Sequence, residues 1–427
     1  MEQDVRICVH GLGYVGLATA SLFANNGYDV VGYDIDTEIL DAIRDDDVSL
    51  PEEDLEKYVR NATKRGLTAS EKVVPAEYHL ICVPTPYNGG ADLSFVEDAT
   101  ATLAPSLRVG DTVVLESTVP PGTTVNTVAP LLEKSGLHAG EQFHVAYTPE
   151  TILPGNTVLE LRANDRIVGG IDESSTDMVS DLYEPVITGT VHRAPDATTA
   201  EFIKLSQNAF RDLNIAFANE LALLADDYGI ETRRAIELAN THPRVEILRP
   251  GPGVGGHCLP VDPLFLAENS DRARLVECAR RVNDSMPGHV VDKLRSELGP
   301  LTERRIAVLG VAYKGNVDEI RNSPGLAVAH ALRAAGMKSG RVTDGGSTTV
   351  SVSITDPHVQ NPLLELTPLE QALAGADAAV VTAAHDEYRS LDPKRVKHLL
   401  HTDVVVDAVD ILDRSAWEEQ GVTVVSL

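Results

Sequence analysis

The run from Val5 to Asp34 constrains the fold of this chain more than any other stretch. Val5-Arg-Ile-Cys-Val-His10 is a short β-branched run, and Gly11-Leu-Gly-Tyr-Val-Gly16 follows at once. A helical pattern continues through Leu17-Ala-Thr-Ala-Ser-Leu-Phe-Ala24 and stops near Asn26-Gly27. Asp29-Val-Val-Gly-Tyr-Asp34 is a second strand that ends in an acid. Strand, G-x-G-x-x-G, helix, strand, acid predicts a βαβ unit that binds a dinucleotide. Gly11 permits the tight turn, Gly13 lets a pyrophosphate reach the backbone, and Gly16 packs the helix on the sheet. Tyr14 and Val15 lie between them at the start of the helix, whose N-terminus favours phosphate charge. Asp34 is placed to bond ribose hydroxyls, and its charge would repel a 2′-phosphate, which selects NAD over NADP. The competing reading is a βαβ unit whose glycines serve packing alone.

Strand–helix alternation continues. Tyr78-His-Leu-Ile-Cys-Val83 reads as a buried strand ended by Pro84-Thr-Pro86, and Asp111-Thr-Val-Val-Leu-Glu116 as another, with a helix to about Lys134 after its loop. Phe143-His-Val-Ala-Tyr-Thr148 leads into Pro149-Glu150, and Asn164-Asp-Arg-Ile-Val-Gly-Gly170 is expected to return to the sheet. These loops follow the carboxyl ends of parallel strands, the edge where open α/β sheets take ligands. Thr85, Ser117 and Thr118 are therefore candidates to line the nicotinamide end, against ordinary helix N-capping. Glu150 is a candidate base with Arg166 to orient it, against a plain surface glutamate.

The middle of the chain changes character. From Ala197 to about Gly229 apolar residues recur at helical spacing on more than one stripe, which predicts a long helix buried on several sides, a second subunit included. Lys204 and Asn208, four apart, share one face of it. Either they are functional or they are a salt-bridged lysine and a helix-bonded asparagine. A further long helix is expected from Arg272 to about Leu298. Between the two helices runs Arg244-Val-Glu-Ile-Leu-Arg-Pro-Gly-Pro-Gly-Val-Gly-Gly-His-Cys-Leu-Pro-Val-Asp262. Its glycines allow close approach to a ligand and its prolines prevent helix or central strand. A thiol, Cys258, with a carboxylate four residues later, makes it a candidate reactive loop; the alternative is an irregular turn around a buried cysteine.

Arg304-Arg-Ile-Ala-Val-Leu-Gly310 restarts the strand–turn–helix pattern without a G-x-G-x-x-G, and residues 378–383 and 403–408 add buried strands. Lys314 and Arg321, in the loop after the first of these, supply cations for a different phosphate ligand. Residues 342–359, rich in Gly, Ser and Thr, read as a surface loop or irregular strand. The expected fold is α/β: two Rossmann-like, doubly wound parallel-sheet domains (residues 1–192 and 301–427) joined by a central helical domain (193–300) with a long dimerisation helix.

Composition excludes several classes. A formal net charge of −28 over 427 residues repels nucleic acid and anionic membranes. The acids are scattered and Arg outnumbers Lys by more than two to one. That pattern suits a protein hydrated in concentrated salt, where the Debye length falls to ~3 Å at 1 M, or a merely acidic enzyme. No apolar run approaches a membrane span, and Met1-Glu-Gln-Asp leads directly into a strand with no sign of a signal peptide. Four cysteines (Cys8, Cys82, Cys258, Cys278) without regular spacing argue against a disulfide framework or a zinc site, so a cytoplasmic protein without metal is expected.

Together these stretches resemble the nucleotide-sugar 6-dehydrogenases, the UDP-glucose/UDP-N-acetylmannosamine dehydrogenase family. The carriers are GLGYVG (11–16), CVPTP (82–86), ESTVPPGTT (116–124), YTPETILPG (147–155), NDRIVGG (164–170), FIKLSQNAFRDLNIAFANE (202–220), PGPGVGGHCLPVDP (250–263) and GVAYKGNVDEIRNSP (310–324). The resemblance covers essentially the whole chain and implies two successive NAD-dependent oxidations of a sugar C6 alcohol to a carboxylate on a homodimer. It implies Cys258 as the nucleophile, with Lys204 and Asn208 on the oxyanion. Asp262 would position water or Lys204, and Thr118 and Glu150 would serve proton transfer and hydrolysis. It puts Arg244, Gly255 and the loop before Cys258 on the substrate, with Arg244 reaching into the partner subunit's site. Lys314 falls on the UDP side, and Arg321 is counted with the cofactor set.

The departures bear on the sugar. UDP-glucose dehydrogenases usually carry a second glutamate where this chain has Pro154, a lysine at Val261, an aromatic at Val254, and a late arginine not seen in Asp407-Ala-Val-Asp410. Losing that charge and bulk is consistent with room for a 2-acetamido group, so the UDP-N-acetyl-D-mannosamine branch is expected. UDP-glucose and UDP-GlcNAc are the nearer alternatives. A single-step β-hydroxyacid dehydrogenase and a non-catalytic NAD-binding module are the distant ones.

Overall fold

Eight strands from the first half of the chain form one sheet, in the order β3-β2-β1-β4-β5-β6-β7-β8. They are β1 (Arg6–His10), β2 (Asp29–Tyr33), β3 (Leu67–Ser70), β4 (Tyr78–Ile81), β5 (Thr112–Leu115), β6 (His144–Tyr147), β7 (Arg166–Gly170) and β8 (Val191–Arg193). The computed structural model describes residues 5–50, 52–152, 154–268, 270–338 and 349–427. β5 is buried at all four positions and β1 at four of five, as strands covered by helices on both faces must be. The strand order reverses between β1 and β4, and this switch point opens the crevice at the carboxyl ends of the strands. The sheet is not wholly parallel: β7 returns antiparallel to β6, pairing Ala146 with Gly170.

At the switch point the core holds two histidines. His10 Nε2 lies 3.2 Å from His79 Nδ1, and both side chains are fully buried. Burial, then the neighbouring ring, holds the His10 imidazole down to about 3. Burial, then the charge of Arg108, holds His79 down to about 4. The pair is therefore neutral at ordinary pH.

The second sheet is all parallel, in the order β10-β9-β11-β12-β13, which is the other common doubly wound order. Its strands are β9 (Arg305–Leu309), β10 (Ser351–Thr355), β11 (Ala378–Val381), β12 (Val404–Asp407) and β13 (Thr423–Ser426). β10 corrects the reading of 342–359 as a loop or irregular strand. Residues 351–355 pair in regular parallel register with 305–309, because an edge strand tolerates the Ser-Val-Ser-Ile-Thr composition that a central one would not. Residues 342–348 of that stretch lie outside the described residues.

The described residues divide into two compact units, one drawn from residues 1–207 and 268–270, the other from 208–267 and 271–427. The predicted long helices are Ala197–Tyr228 and Arg274–Leu298. On the first, Glu201, Leu205, Ala209, Asp212, Ala216, Asn219 and Ala222 are buried at helical spacing. Phe202, Phe210, Phe217 and Leu224 point the other way and are each about half exposed or more in the single chain, the side left for the expected second subunit. Among the described residues no helix is long and apolar enough to cross a membrane.

Candidate active site

In the first unit the glycine-rich loop has the geometry its sequence implies. Gly11 has φ +91°, and a Cβ there would meet the Cys82 carbonyl oxygen at 2.7 Å. A Cβ on Gly16 would lie 1.9 Å from the Gly11 carbonyl oxygen, so helix and loop touch only because position 16 is bare. Around the Cβ position of Gly13, by contrast, there is open space for 4 Å beyond its own chain neighbours. This open cradle sits at the N-terminus of the Tyr14–Asn25 helix, whose first turn has no acidic side chain and no side-chain cap. It fits a dinucleotide pyrophosphate. Asp34 follows β2, and its carboxylate accepts from Leu12 N at 2.5 Å and Asp36 N at 2.9 Å. It thus pins the loop from the carboxyl end of β2. Val15 is half-buried in the first turn. The Tyr14 hydroxyl turns away, donating to Glu52 Oε2 at 2.7 Å and meeting Thr157 Oγ1.

The hydroxyls after β4 and β5 are not helix caps. Thr85 donates to the Thr118 carbonyl at 2.7 Å and Ser117 to the Val83 carbonyl at 2.7 Å, so each loop holds the other. Thr118 itself is half-buried. Glu150 is buried, and both its oxygens are engaged: Oε2 by Arg166 Nη2 at 2.9 Å, Oε1 by the N–H groups of Thr151 (2.6 Å) and Ile152 (2.8 Å). Arg166 lies 4.5 Å from the Tyr183 ring centroid and 3.5 Å from Glu116. Glu116 also accepts from Thr19, Cys82 and Tyr183. Burial raises the Glu116 carboxyl above its usual range, against the pull of Arg166. Lys204 Nζ donates to the Glu150 backbone carbonyl at 2.7 Å, which ties the long helix to the loop after β6.

Three carboxylates in this region escaped the sequence reading. Glu116 was read only as a strand end. Glu201 accepts from Gly122 N, Thr124 N and Thr124 Oγ1, fixing the PPGTT turn to the long helix. Glu52 accepts from Tyr14, Gly155 N and Thr157 N and Oγ1, joining the cofactor helix to the loop after Glu150. Burial pushes its carboxyl up, but these donors outweigh that and leave it below the usual range. Sequence spacing carries no signal for such partners, which lie 38 to 105 residues apart for Glu52.

In the second unit Asn208 Nδ2 donates to Asp262 Oδ2 at 2.5 Å. Cys258 is exposed, and its carbonyl accepts from Val261 N and Asp262 N, so the thiol stands at the entry of the short Asp262–Ala267 helix. The preceding glycines fit against the loop that follows β9. A Cβ on Gly255 would meet Asn322 O at 2.7 Å and Pro324 Cδ at 2.7 Å, and Gly256, at φ +90°, lies over the Tyr313 ring. Gly256 N donates to Arg321 O at 2.9 Å, and Asn322 Nδ2 donates to Gly256 O at 2.9 Å. Arg321 pairs with Glu319, which raises its pKa; the Cys258 sulfur and the Tyr313 phenol act in the same direction more weakly, against burial. Arg321, counted with the cofactor set, is thus also a cation with an electrostatic influence on the Cys258 sulfur within its own unit. Lys314 is half-buried in the same loop, while Arg244 is exposed at the far end of the arm.

The predicted residues therefore gather into local groups. Gly11, Gly13, Gly16 and Asp34 form one, and Thr85, Thr118, Glu150 and Lys204 lie on the ligand-edge loops and helix of the same unit. Asn208 and Asp262 form another, and Gly255 and Gly256, just before Cys258, pack on the loop after β9 that carries Arg321.

Comparison with known proteins decides what such a set belongs to. Sequence profiles of the UDP-glucose/GDP-mannose dehydrogenase family match in order: its NAD binding domain at residues 5–187, its central domain at 198–285 and its UDP binding domain at 307–414. The chain belongs to the UDP-glucose/GDP-mannose dehydrogenase family. It is 40% identical to a UDP-N-acetyl-D-mannosamine dehydrogenase of Methanocaldococcus jannaschii, over 97% of this chain and 95% of that one. It is 39% identical to an NDP-N-acetyl-D-galactosaminuronic acid dehydrogenase of Ralstonia nicotianae, over 99% of both. A solved UDP-D-ManNAc dehydrogenase from Pyrococcus horikoshii superposes with a TM-score of 0.89 at 38% identity, covering 99% of this chain and 98% of that one. As a member of this family the protein is an NAD-dependent nucleotide-sugar dehydrogenase. The UDP binding domain sets aside the β-hydroxyacid dehydrogenase alternative, which has no use for one.

Proposed function

We propose that this enzyme oxidises UDP-N-acetyl-D-mannosamine at C6, in two steps, to UDP-N-acetyl-D-mannosaminuronate. The observation that carries the substrate is its likeness along 97% of its length to a dehydrogenase of that name. Pro154, Val254 and Val261, which replace the charge and aromatic bulk of the glucose enzymes, support it.

Bound NAD supplies the hydride acceptor for each oxidation. The chain must do the rest. The first oxidation leaves an aldehyde that would escape or hydrate; the Cys258 thiolate adds to C6 and holds it as a thiohemiacetal. The second oxidation turns that adduct into a thioester. Water then attacks the carbonyl carbon, the C–S bond breaks, and the carboxylate leaves with the thiol restored. Lys204 and Asn208, one helical turn apart, are assigned to the C6 oxygen as donors, each typically worth ~10²–10³ in rate. Asp262 takes one Asn208 amide hydrogen and so sets the direction of the other. Glu150, its carboxylate held by Arg166, is assigned to placing Lys204 through its own carbonyl, and to orienting water with Thr118. Lys314 and Arg244 are assigned to the nucleotide sugar, with Arg244 reaching the partner subunit's site.

The exposed stripe Phe202, Phe210, Phe217 and Leu224, spaced at seven or eight residues, supports a homodimer through the long helix. Light scattering should give about twice the 45.8 kDa chain mass, and a monomer at micromolar concentration would remove this part. Four cysteines with no disulfide among the described residues, and the use of NAD, support a cytoplasmic location.

A galactosamine-type sugar is a second reading, favoured by the Ralstonia relative. A panel of UDP-ManNAc, UDP-GalNAc, UDP-GlcNAc and UDP-glucose, assayed by NADH formation at low and high salt, tests the assignment. UDP-ManNAc should give the highest kcat/KM by at least ~10-fold, the scale on which a pocket separates close analogues. Brisk oxidation of UDP-glucose with none of any acetamido sugar would sink it.

A further inference from the structure

The arm that leads to Cys258 runs through Glu246, Ile247 and Leu248 with no strand paired to it among the described residues, yet its backbone is paired on both sides. Asn214, on the long helix, donates Nδ2–H to the Glu246 carbonyl at 2.8 Å and accepts from Leu248 N at 2.9 Å. Asn240, at the end of the Thr232–Ala239 helix, donates to the Ile247 carbonyl at 2.9 Å and accepts from Ile247 N at 2.8 Å. In an extended chain the N–H and C=O of one residue point to one side and those of its neighbours to the other. The two carboxamides thus stand where neighbouring strands would, one on each edge.

A third asparagine continues the pattern. Asn219 Oδ1 accepts from Gly251 N at 2.8 Å, and its Nδ2 donates to Asn283 Oδ1 at 2.8 Å. Asn283 in turn donates to Asp212 Oδ1 at 2.8 Å, which Arg280 meets at 2.6 Å. Asn219 and Asn283 are fully buried and Asp212 nearly so, so this chain anchors the clamp between the two long helices. A loop so rich in glycine and proline has no ladder of its own to fix it.

We propose that Asn214, Asn240 and Asn219 are positioning residues for the substrate: they hold residues 246–251 extended before the nucleotide sugar arrives. The inference rests on the reading of this arm as substrate-binding. If only a fraction of the free enzyme has the arm in place, apparent affinity falls by that fraction. The chemistry at Cys258, once substrate is bound, is unaffected.

The test is the Asn214→Ala/Asn240→Ala enzyme, assayed as the full-length protein with whichever UDP-sugar the wild type oxidises. KM for the sugar should rise ~10-fold or more while kcat changes less than ~3-fold, the pattern of lost binding that is uniform between ground and transition state. The dissociation constant for NAD should stay within ~2-fold, since the cofactor cradle is in the other unit. Trypsin cleavage after Arg244, measured without substrate, should accelerate as the arm opens. Asn214→Asp, which keeps the acceptor for Leu248 N and loses the donor, should fall between wild type and Asn214→Ala. An unchanged KM without faster cleavage, or a loss confined to kcat, overturns the clamp. If faster cleavage accompanies an unchanged KM, the arm is held as described but does not bind the sugar, and it is the substrate-arm reading that fails.

Discussion

Cys258→Ala should lower formation of the uronate by ~10³-fold or more while leaving NAD binding and the melting temperature close to wild type. The thiol is exposed, and the Cys258 carbonyl, which accepts the first bonds of the following helix, is kept in the variant. In the proposed mechanism it removes the bond that keeps the aldehyde from leaving and makes the second oxidation a thioester-forming step. Cys258→Ser separates the two roles: an oxygen ester is a slower leaving group, so the variant should stall at the adduct or stop after the first oxidation. Rapid-quench mass measurement on wild type should trap a covalent sugar adduct on Cys258, and neither variant should show a thioester. Undiminished two-step turnover in Cys258→Ala would exclude the cysteine as nucleophile.

The second large effect concerns stability. His10 and His79 are buried and neutral, with the first held down to about 3 and the second to about 4. In the unfolded chain each titrates near the ordinary histidine value of ~6.5, so below that pH the unfolded state binds protons the folded state refuses. Both folded values are depressed, so their contribution is fully present above ~6.5 and is lost as pH falls toward 4 and then 3. At pH 5 the two together should have removed about 4 kcal/mol, a large part of the 5–15 kcal/mol typical of a domain. Urea unfolding of the NAD-binding unit should therefore weaken steeply between pH 7 and pH 5. In His10→Leu/His79→Leu, which removes both members of the pair together, that slope should flatten by about two protons. An unchanged slope would mean the histidines accept protons in the folded state.

What the sequence made legible follows from which forces are local. Gly11, Gly13 and Gly16 are required by backbone contacts within a few residues and one neighbouring strand, so the fingerprint was readable, and the structure shows the cradle at Gly13 and the closed contacts at the other two. The runs in β1, β4, β5 and β12 are continuous and apolar, and were placed within a residue or two. β3, β8 and β13 were not named at all: they are three or four residues long and mix polar with apolar positions. β10 was read as irregular because an edge strand needs no hydrophobic run.

The site was legible in its residue types but not in its supports. Lys204 and Asn208 were paired by helical spacing, yet nothing in the sequence said that Lys204 meets a backbone carbonyl of Glu150 and not its carboxylate. Glu150 was considered as a free base with Arg166 to orient it; the structure adds two backbone donors that occupy its other oxygen. Arg321 was assigned to phosphate and cofactor from its loop, and its electrostatic reach to the Cys258 sulfur came only from the fold of 250–258 onto 313–324. Asn214, Asn219 and Asn240 carry no local signature, since an asparagine that replaces a strand looks like any other polar residue on a helix.

The central claim proposed here is that the enzyme carries the sugar through both oxidations, the second of them on the Cys258 adduct. Counting NADH formed per UDP-N-acetyl-D-mannosamine consumed, at completion and with excess NAD, tests it most directly. The account predicts two, with the uronate as product and no aldehyde accumulating. One NADH per sugar, with a free or hydrated aldehyde as product, would contradict it.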